Sequence, residues 1–195
     1  MTATQMDEAH VGHYRLLGIT NSIRADSVNC WALHLVAELL PAAMGLKLHD
    51  LRALPFYDPE LERQGWPQAV KDFATALLAS DALVIASPEY NHSVPAVLKN
   101  AIDWMSRYRP EPLTDMPVML ISATPGLLGG ARVQYDWRRI LDAVGARPLV
   151  RPEVFIGAAT RKFDSAGRCH DNGTRDMVTA QLMAFRKWVD RTREP

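Results

Sequence analysis

The most chemically varied stretch of the chain is residues 87–95, which contain a tyrosine, an asparagine, a histidine, a glutamate, two serines and two prolines. They follow the apolar run 82–86, which is typical of a buried parallel strand, and precede a predicted helix over residues 96–108. Ligands of open α/β sheets bind outside the carboxyl ends of the strands, where such a loop lies. Backbone amides, an aromatic ring and proline-restricted backbone suit a flat heteroaromatic ligand.

A second polar loop, residues 20–29, lies between the first predicted strand and the first predicted helix. The N-terminus of a helix presents free amides and a partial positive charge, which favour a phosphate group. Further donors in this loop are the side chains of Thr20, Ser22, Arg24, Ser27 and Asn29. The same residues also fit a helix cap, on Asp26 or Ser27, followed by a surface arginine. From the residues alone both interpretations stay open.

A glycine-rich loop, residues 122–132, follows the fourth predicted strand at the same edge of the sheet. Its glycines would let the backbone approach a planar ligand closely. The alternative is a flexible connection with close packing of a helix against the sheet. Both interpretations carry similar weight for each glycine taken singly.

Strand and helix patterns alternate five times, which predicts a parallel sheet with helices on both faces. The predicted strands are residues 14–19, 46–51, 81–86, 118–122 and a short segment within 148–156. The predicted helices are residues 27–40, 66–80, 96–108, 131–144 and 174–191, and residues 55–65 are predicted to be a loop. This spacing suits a flavodoxin-like three-layer sandwich, with five strands in the order 2-1-3-4-5 and a ligand between strands 1 and 3.

Two parts of the sequence resemble a known family. They are the run Pro88-Glu89-Tyr90-Asn91 with Ser93 and Pro95, and the run from Leu98 to Trp104. Together they are similar to the signature of the NAD(P)H-dependent FMN reductase family, which has a flavodoxin-like fold and includes quinone, azo-dye and chromate reductases. Ser22, Arg24, Ser27 and Asn29 also match its first loop. Asn21 departs from the pattern, where a glycine is usual, and its side chain could crowd a phosphate.

The resemblance implies an enzyme that binds FMN and uses NAD(P)H as hydride donor. The acceptors it implies are quinones, azo compounds, nitroaromatics and metal oxyanions such as chromate. The chemistry would lie on N5 of FMN, with no catalytic side chain. The implied cofactor contacts are Thr20, Ser22, Arg24, Ser27, Val28, Asn29, Pro88, Glu89, Tyr90, Asn91, Ser93, Ser122, Ala123 and Gly126.

Some residues that match or adjoin the signature are expected to serve other purposes. The Glu89 carboxylate should point away from the ring, because negative charge gathers on the reduced flavin. His92 is a lone loop histidine and fits a surface position better than a proton donor. Lys99, Asp103 and Trp104 lie on a helix and suit ion pairing, packing or a subunit face. The family is commonly dimeric or tetrameric, so a homodimer or homotetramer is expected.

Composition limits the function classes. Lys plus Arg and Asp plus Glu number 22 each, so the zero net charge favours neither nucleic acid nor membrane. Cys30 and Cys169 lie far apart and indicate neither a disulfide framework nor a metal site.

Residues 1–13 lack the apolar segment of a signal peptide and are predicted to be a flexible tail, with one domain over residues 14–195. No apolar run reaches membrane-spanning length, and a cytoplasmic protein is expected.

A second function class stays open beside the enzyme. A flavodoxin-like electron carrier, or an FMN-binding regulatory module without turnover, would share the same fold, because a fold does not determine a function. A carrier is expected to have an acidic docking face, and the zero net charge counts against it.

Overall fold

The computed structural model describes residues 14–21 and 26–193, in which strands and helices alternate along the chain. The strands are β1 (Tyr14–Thr20), β2 (Met44–Leu48), β3 (Ala82–Ala86), β4 (Pro117–Ala123), β5 (Arg147–Pro148) and β6 (Val154–Ile156). The helices are α1 (Val28–Leu39), α2 (Pro59–Gln64), α3 (Gln68–Leu78), α4 (Ala96–Arg107), α5 (Ala131–Ala143) and α6 (Asn172–Arg193), with a 3₁₀ helix over Ala159–Arg161. The expected tail lies outside the described residues, and it and the single-domain assignment stay predictions.

The strands form one parallel sheet in the order β2-β1-β3-β4, with β5 and β6 both pairing with the outer side of β4. The predicted order 2-1-3-4-5 is therefore confirmed. The fifth position is divided, because β5 pairs with the first two residues of β4 and β6 with the last three. Residues 149–153 lie between the two short strands, and Pro152 has no amide hydrogen with which to continue the ladder.

Strand β3 shows how the sequence builds the three layers. All five of its residues are fully buried, as the continuous apolar run predicted. Ala82, Val84 and Ala86 pack on the side of the sheet covered by α1 and α6. Leu83 and Ile85 point the opposite way, toward α3, α4 and α5. Because successive strand side chains face opposite directions, one strand contributes to both halves of the core.

The predicted loop over residues 55–65 contains a short helix, α2, which is a correction to the sequence interpretation. Asp58 is its N-cap, and its carboxylate accepts a hydrogen bond from the amide of Glu60 at 2.7 Å. Pro59 occupies the first helical position, where its missing amide hydrogen costs nothing. The Asp58-Pro59 pair, interpreted as a turn, is therefore a helix start.

Residues of α4 that match the family signature form hydrogen bonds with residues 55–57, the segment that precedes α2. The indole nitrogen of Trp104, a fully buried residue, donates to the carbonyl of Pro55 at 2.8 Å. Asn100 donates to the same carbonyl and accepts from the amide of Tyr57. Lys99 forms an ion pair with Asp103 on the helix surface. These contacts are the packing and ion pairing expected of the matching residues.

The length and hydropathy of the helices bear on the membrane question. Across residues 14–21 and 26–193, no helix combines the length and the apolar character needed to span a bilayer.

Candidate active site

The carboxyl ends of β1, β3 and β4 open into a cleft of about 570 Å³ at one edge of the sheet. Its walls come from the β1–α1, β3–α4 and β4–α5 loops, together with the 3₁₀ helix that follows β6. The lining residues are Asn21, Asp26, Ser27, Val28, Asn29, Pro88, Glu89, Tyr90, Ala123, Thr124, Pro125 and Thr160. The three loops selected from the sequence therefore meet in one place, next to the switch between β1 and β3.

Not every predicted contact lies in this cleft. The predicted residues that line it are Ser27, Val28, Asn29, Pro88, Glu89, Tyr90 and Ala123. The predicted residues outside the lining are Thr20, Asn91, Ser93, Ser122 and Gly126. Ser22 and Arg24 lie outside the described residues.

The cleft also contains residues that were not among the individual predicted contacts. Thr124 and Pro125 belong to the loop 122–132, and Asn21 and Asp26 to the loop 20–29, both of which the sequence analysis selected as a whole. Thr160 comes from a segment with no helical or strand pattern, and nothing local in the sequence indicated it.

The N-terminus of α1 forms the wall suited to an anion. Ser27 occupies the N-cap position, yet within the described chain its side chain makes no capping hydrogen bond. The first turn of α1 contains no acidic residue. Because the first amides of a helix have no partner within the helix, these amides and the Ser27 hydroxyl are donors available to a ligand. Ser27 is therefore the N-cap residue by position, as one interpretation of the sequence had it, but its hydroxyl makes no capping bond.

Asn29 joins the first loop to the end of β4. Its side-chain amide donates to the carbonyl of Ala123 at 2.9 Å, and its oxygen accepts from the amide of Ala123 at 3.0 Å. The side chain is only 3% exposed. Asn29 therefore satisfies both backbone groups of Ala123, a structural role that differs from the phosphate donor predicted for its amide.

Thr20 ends β1 directly below this loop and is 4% exposed, which explains why it does not line the cleft. Its hydroxyl is buried and has no hydrogen-bond partner in the described part of the chain. Buried hydroxyl groups without partners are uncommon in folded proteins. Thr20 is thus an unused donor at the base of the anion-binding wall.

The β3–α4 loop contains a tight turn that presents Tyr90. The backbone amides and carbonyls of Tyr90 and Ser93 bond reciprocally, at 3.0 and 2.9 Å. Asn91 and His92 between them have φ values of 49° and 67°, which makes a type I′ turn. Ser93 donates its hydroxyl to Asp136 of α5 at 2.7 Å, so its side chain anchors the loop. Tyr90 is left 52% exposed at the cleft.

Glu89 turns its carboxylate onto the N-terminus of α5. It accepts from the amides of Arg132 and Val133 at 3.1 and 3.3 Å, and it pairs with the Arg132 guanidinium at 3.1 Å. The N-cap of α5 is Gly130, which has no side chain to cap the helix. Glu89 therefore acts as a cap supplied by another loop, and the first turn of α5 and the Arg132 guanidinium compensate its negative charge.

Removing this cap should destabilise the protein. We expect Glu89→Ala to lower the free energy of unfolding by about 1–2 kcal/mol, because two first-turn amides lose their acceptor. Glu89→Gln retains an oxygen acceptor and should lose about half as much. Urea unfolding followed by circular dichroism measures both variants.

The matched control is Glu60→Ala, because Glu60 is an exposed glutamate in the first turn of α2. Its substitution should change the free energy of unfolding by less than about 0.5 kcal/mol. Equal stabilities of the Glu89→Ala and Glu60→Ala variants would contradict the capping role.

Beneath the loop, Trp137 fixes its first residue. The indole nitrogen of this fully buried tryptophan donates to the Ser87 hydroxyl at 2.8 Å, and that hydroxyl donates to the carbonyl of Pro88 at 2.9 Å. The bonds from Trp137 of α5 to Ser87, and from Ser87 to Pro88, thus hold the backbone where the chain leaves β3 and enters the cleft. Trp137 is therefore a core residue.

The glycines of the β4–α5 loop serve packing against the protein itself. A Cβ atom on Gly129 would lie 2.7 Å from the amide nitrogen of Gly157, and one on Gly130 would lie 2.7 Å from Cβ of Ser122. Ser122 is fully buried and donates its hydroxyl to the carbonyl of Gly129. Gly126 is open to solvent, and its carbonyl accepts from the amide of Ala158. These contacts explain why Ser122 and Gly126 do not line the cleft.

Cys30, the residue after Asn29 on α1, carries a thiol close to the cleft in sequence. Burial raises the pKa of its thiol above the usual value, so the thiol stays protonated at neutral pH. This cysteine is therefore unsuited to nucleophilic chemistry.

Comparisons with known proteins identify the family. The sequence pattern of a family described as NADPH-dependent FMN reductase matches residues 14–161, most of the chain. The chain belongs to the NADPH-dependent FMN reductase family. It is 40% identical over 179 residues to an NAD(P)H-dependent FMN reductase of Pseudomonas aeruginosa, covering 92% of this chain and 97% of that protein. It is 36% identical over 182 residues to a quinone reductase of Escherichia coli K12, covering 92% and 97%.

A solved flavoenzyme structure also resembles this member of the FMN reductase family. The flavoenzyme FerB of Paracoccus denitrificans, an NAD(P)H:(acceptor) oxidoreductase, superposes with a TM-score of 0.84 at 27% identity, covering 92% of this chain and 98% of that one. The protein is an oxidoreductase whose cofactor is FMN and whose electron donor is NAD(P)H.

The described residues of the cleft fit FMN. Phosphate would find the first amides of α1 and the Ser27 hydroxyl on one side. On the other side, Tyr90 supplies an exposed aromatic ring beside a backbone held in a tight turn. The N-terminus of α1 on one side of the cleft suits a phosphate, and Tyr90 on the other side suits a planar ring. FMN has a phosphate at one end and a planar ring at the other.

Proposed function

We propose that the protein is an NAD(P)H-dependent quinone reductase that also accepts azo compounds, nitroaromatics and metal oxyanions such as chromate. The observation that carries this proposal is that the N-terminus of α1 and the Tyr90 loop line the same 570 Å³ cleft. Bound FMN would supply the redox chemistry, taking a hydride from NAD(P)H and giving reducing equivalents to the acceptor. Every other contribution is binding, orientation and electrostatics from the residues of the chain.

The division of roles within the cleft is part of the proposal. The α1 amides, Ser27 and, from the undescribed segment, Ser22 and Arg24 would hold the phosphate. The backbone of residues 88–91 would hold the polar edge of the ring, with Tyr90 beside it. Glu89 would not repel reduced flavin, because its carboxylate is engaged by α5.

The acceptor class is supported by what the cleft rim exposes. The β4–α5 loop contributes Thr124 and Pro125 to the lining, and two residues later it leaves Leu127 90% exposed. An open, partly apolar rim suits flat apolar acceptors such as quinones better than compact, strongly hydrated ones. The quinone reductase of Escherichia coli is a relative whose name states this activity.

The activity is tested by anaerobic stopped-flow mixing of the FMN-saturated protein with NADH or NADPH, followed by mixing with each acceptor. We expect rapid bleaching of the flavin absorbance by at least one nucleotide and recovery of the absorbance with a benzoquinone. Free FMN at the same concentration is the control and should be reduced far more slowly. Protein-bound FMN that neither nucleotide bleaches would contradict the proposal, and bleached protein that no quinone reoxidises would contradict the acceptor class.

We also propose that the protein is a homodimer or homotetramer located in the cytoplasm. Leu127 and Leu128 of the β4–α5 loop and Tyr135 of α5 are more than half exposed, and we propose that a partner subunit covers them. Light scattering of the purified protein tests the assembly, and a monomeric mass at micromolar concentration would contradict it.

A further inference from the structure

One side-chain hydrogen bond spans the cleft between two of its walls. Asn21 is the residue that follows β1, and its side-chain amide nitrogen donates to the hydroxyl of Tyr90 at 3.1 Å. The two residues lie 69 positions apart in the chain, and both line the cleft. The bond therefore links the loop proposed for the phosphate to the loop proposed for the ring.

Asn21 is also the residue at which the sequence departs from the family resemblance described above, where a glycine is usual. Glycine has no side chain with which to reach Tyr90. The asparagine side chain is directed across the cleft to the tyrosine hydroxyl. The departure from the pattern thus adds a contact to the site.

The rest of the structure fixes the backbone of Tyr90 but leaves its ring unrestrained. The reciprocal bonds with Ser93 hold the turn, and the Ser93–Asp136 bond holds the turn to α5. The ring itself is half exposed, and its tip bonds to Asn21. A side chain that is already ordered loses less conformational entropy when a ligand packs against it.

We propose that Asn21 is a positioning residue for FMN, holding the Tyr90 ring through this hydrogen bond in the orientation that receives the cofactor. The inference rests on the proposed function, in which FMN lies between the two loops. The hydrogen bond orders the Tyr90 ring before FMN binds and continues to hold it while FMN is bound. Its loss should therefore weaken FMN binding, chiefly by raising the dissociation rate.

A double-mutant cycle tests the coupling between the two side chains. The variants are Asn21→Ala, Tyr90→Phe and their combination, and the dissociation constant for FMN is measured by quenching of free FMN fluorescence. We expect each single variant to raise the dissociation constant by about three- to tenfold, the range for one net hydrogen bond. The double variant should equal the single ones, because the second substitution removes nothing further.

A spectroscopic readout separates positioning of the ring from general damage. The visible circular dichroism of bound FMN reports the asymmetry of its surroundings, and at FMN saturation it should change in the same way in both single variants. The matched control is Tyr14→Phe, which removes a hydroxyl bonded to Asp190 at the opposite end of β1. That variant should keep the wild-type dissociation constant and spectrum.

The possible outcomes distinguish this inference from the function on which it rests. An unchanged dissociation constant for Asn21→Ala, or single effects that multiply in the double variant, would overturn the positioning role while leaving the FMN site intact. Wild-type protein that fails to take up FMN would overturn both.

Discussion

Asn29→Ala is expected to lower the free energy of unfolding by about 2–4 kcal/mol, one of the two largest effects we expect in the cleft. The substitution removes the donor and the acceptor that satisfy Ala123, a residue that is itself 1% exposed. Two buried backbone groups would then have no partner, and each such group costs roughly 1–3 kcal/mol. Urea unfolding monitored by tryptophan fluorescence measures the loss.

The same substitution should also weaken the cofactor site. Asn29 connects the start of α1 to the end of β4, so its loss releases the anion-binding wall from the sheet. We expect the dissociation constant for FMN to rise about tenfold, since a small displacement of several donors costs about 1.4 kcal/mol. Gln68→Ala, which removes an exposed amide on α3, is the control and should leave both quantities nearly unchanged. Equal behaviour of the two variants would refute the bracing role of Asn29.

Gly129→Ala should destabilise the fold by about 3 kcal/mol or more, because two separate costs combine there. The φ of Gly129 is 61°, in the left-handed region that side chains disfavour. An added Cβ would also lie 2.7 to 2.8 Å from backbone atoms of residues 155–157, which cannot move without disturbing β6. Because the 3₁₀ helix that follows carries Thr160 into the cleft, FMN binding should weaken as well.

Gly126 provides a control within the same loop. A Cβ at Gly126 would have its nearest contact at 3.9 Å, with the hydroxyl of Thr124. Gly126→Ala should therefore change the free energy of unfolding by less than about 0.5 kcal/mol. Thermal and urea unfolding of the two variants measure the difference, and a destabilisation of Gly126→Ala equal to that of Gly129→Ala would show that loop flexibility, rather than close approach, explains the glycines.

The fold could be predicted because its signals are local. The unbroken apolar run of β3 indicates a strand buried on both faces, and alternation of strands with helices indicates a parallel sheet. Polar loops after β1, β3 and β4 then have to share one edge of the sheet. The position of the cleft therefore follows from the order of strands, helices and polar loops in the sequence.

What sequence analysis missed depends on contacts between distant residues. The partner of Asn29 lies 94 positions away, and the amides that engage Glu89 lie 43 and 44 positions away. No local pattern reports such pairings, so the bonds of Asn29 to Ala123 and of Glu89 to α5 could not be predicted. The divided fifth strand and α2 were missed for a different reason, because proline and aspartate indicate a loop as readily as a helix start.

The central claim is that one cleft at the carboxyl edge of the sheet holds the whole of FMN. A crystal structure of the FMN-saturated protein tests it most directly. The account predicts the phosphate at the N-terminus of α1, near Ser27, and the ring against residues 88–91 with Tyr90 beside it. Cofactor density outside this cleft, or density in the reverse orientation with the ring at α1, would contradict it.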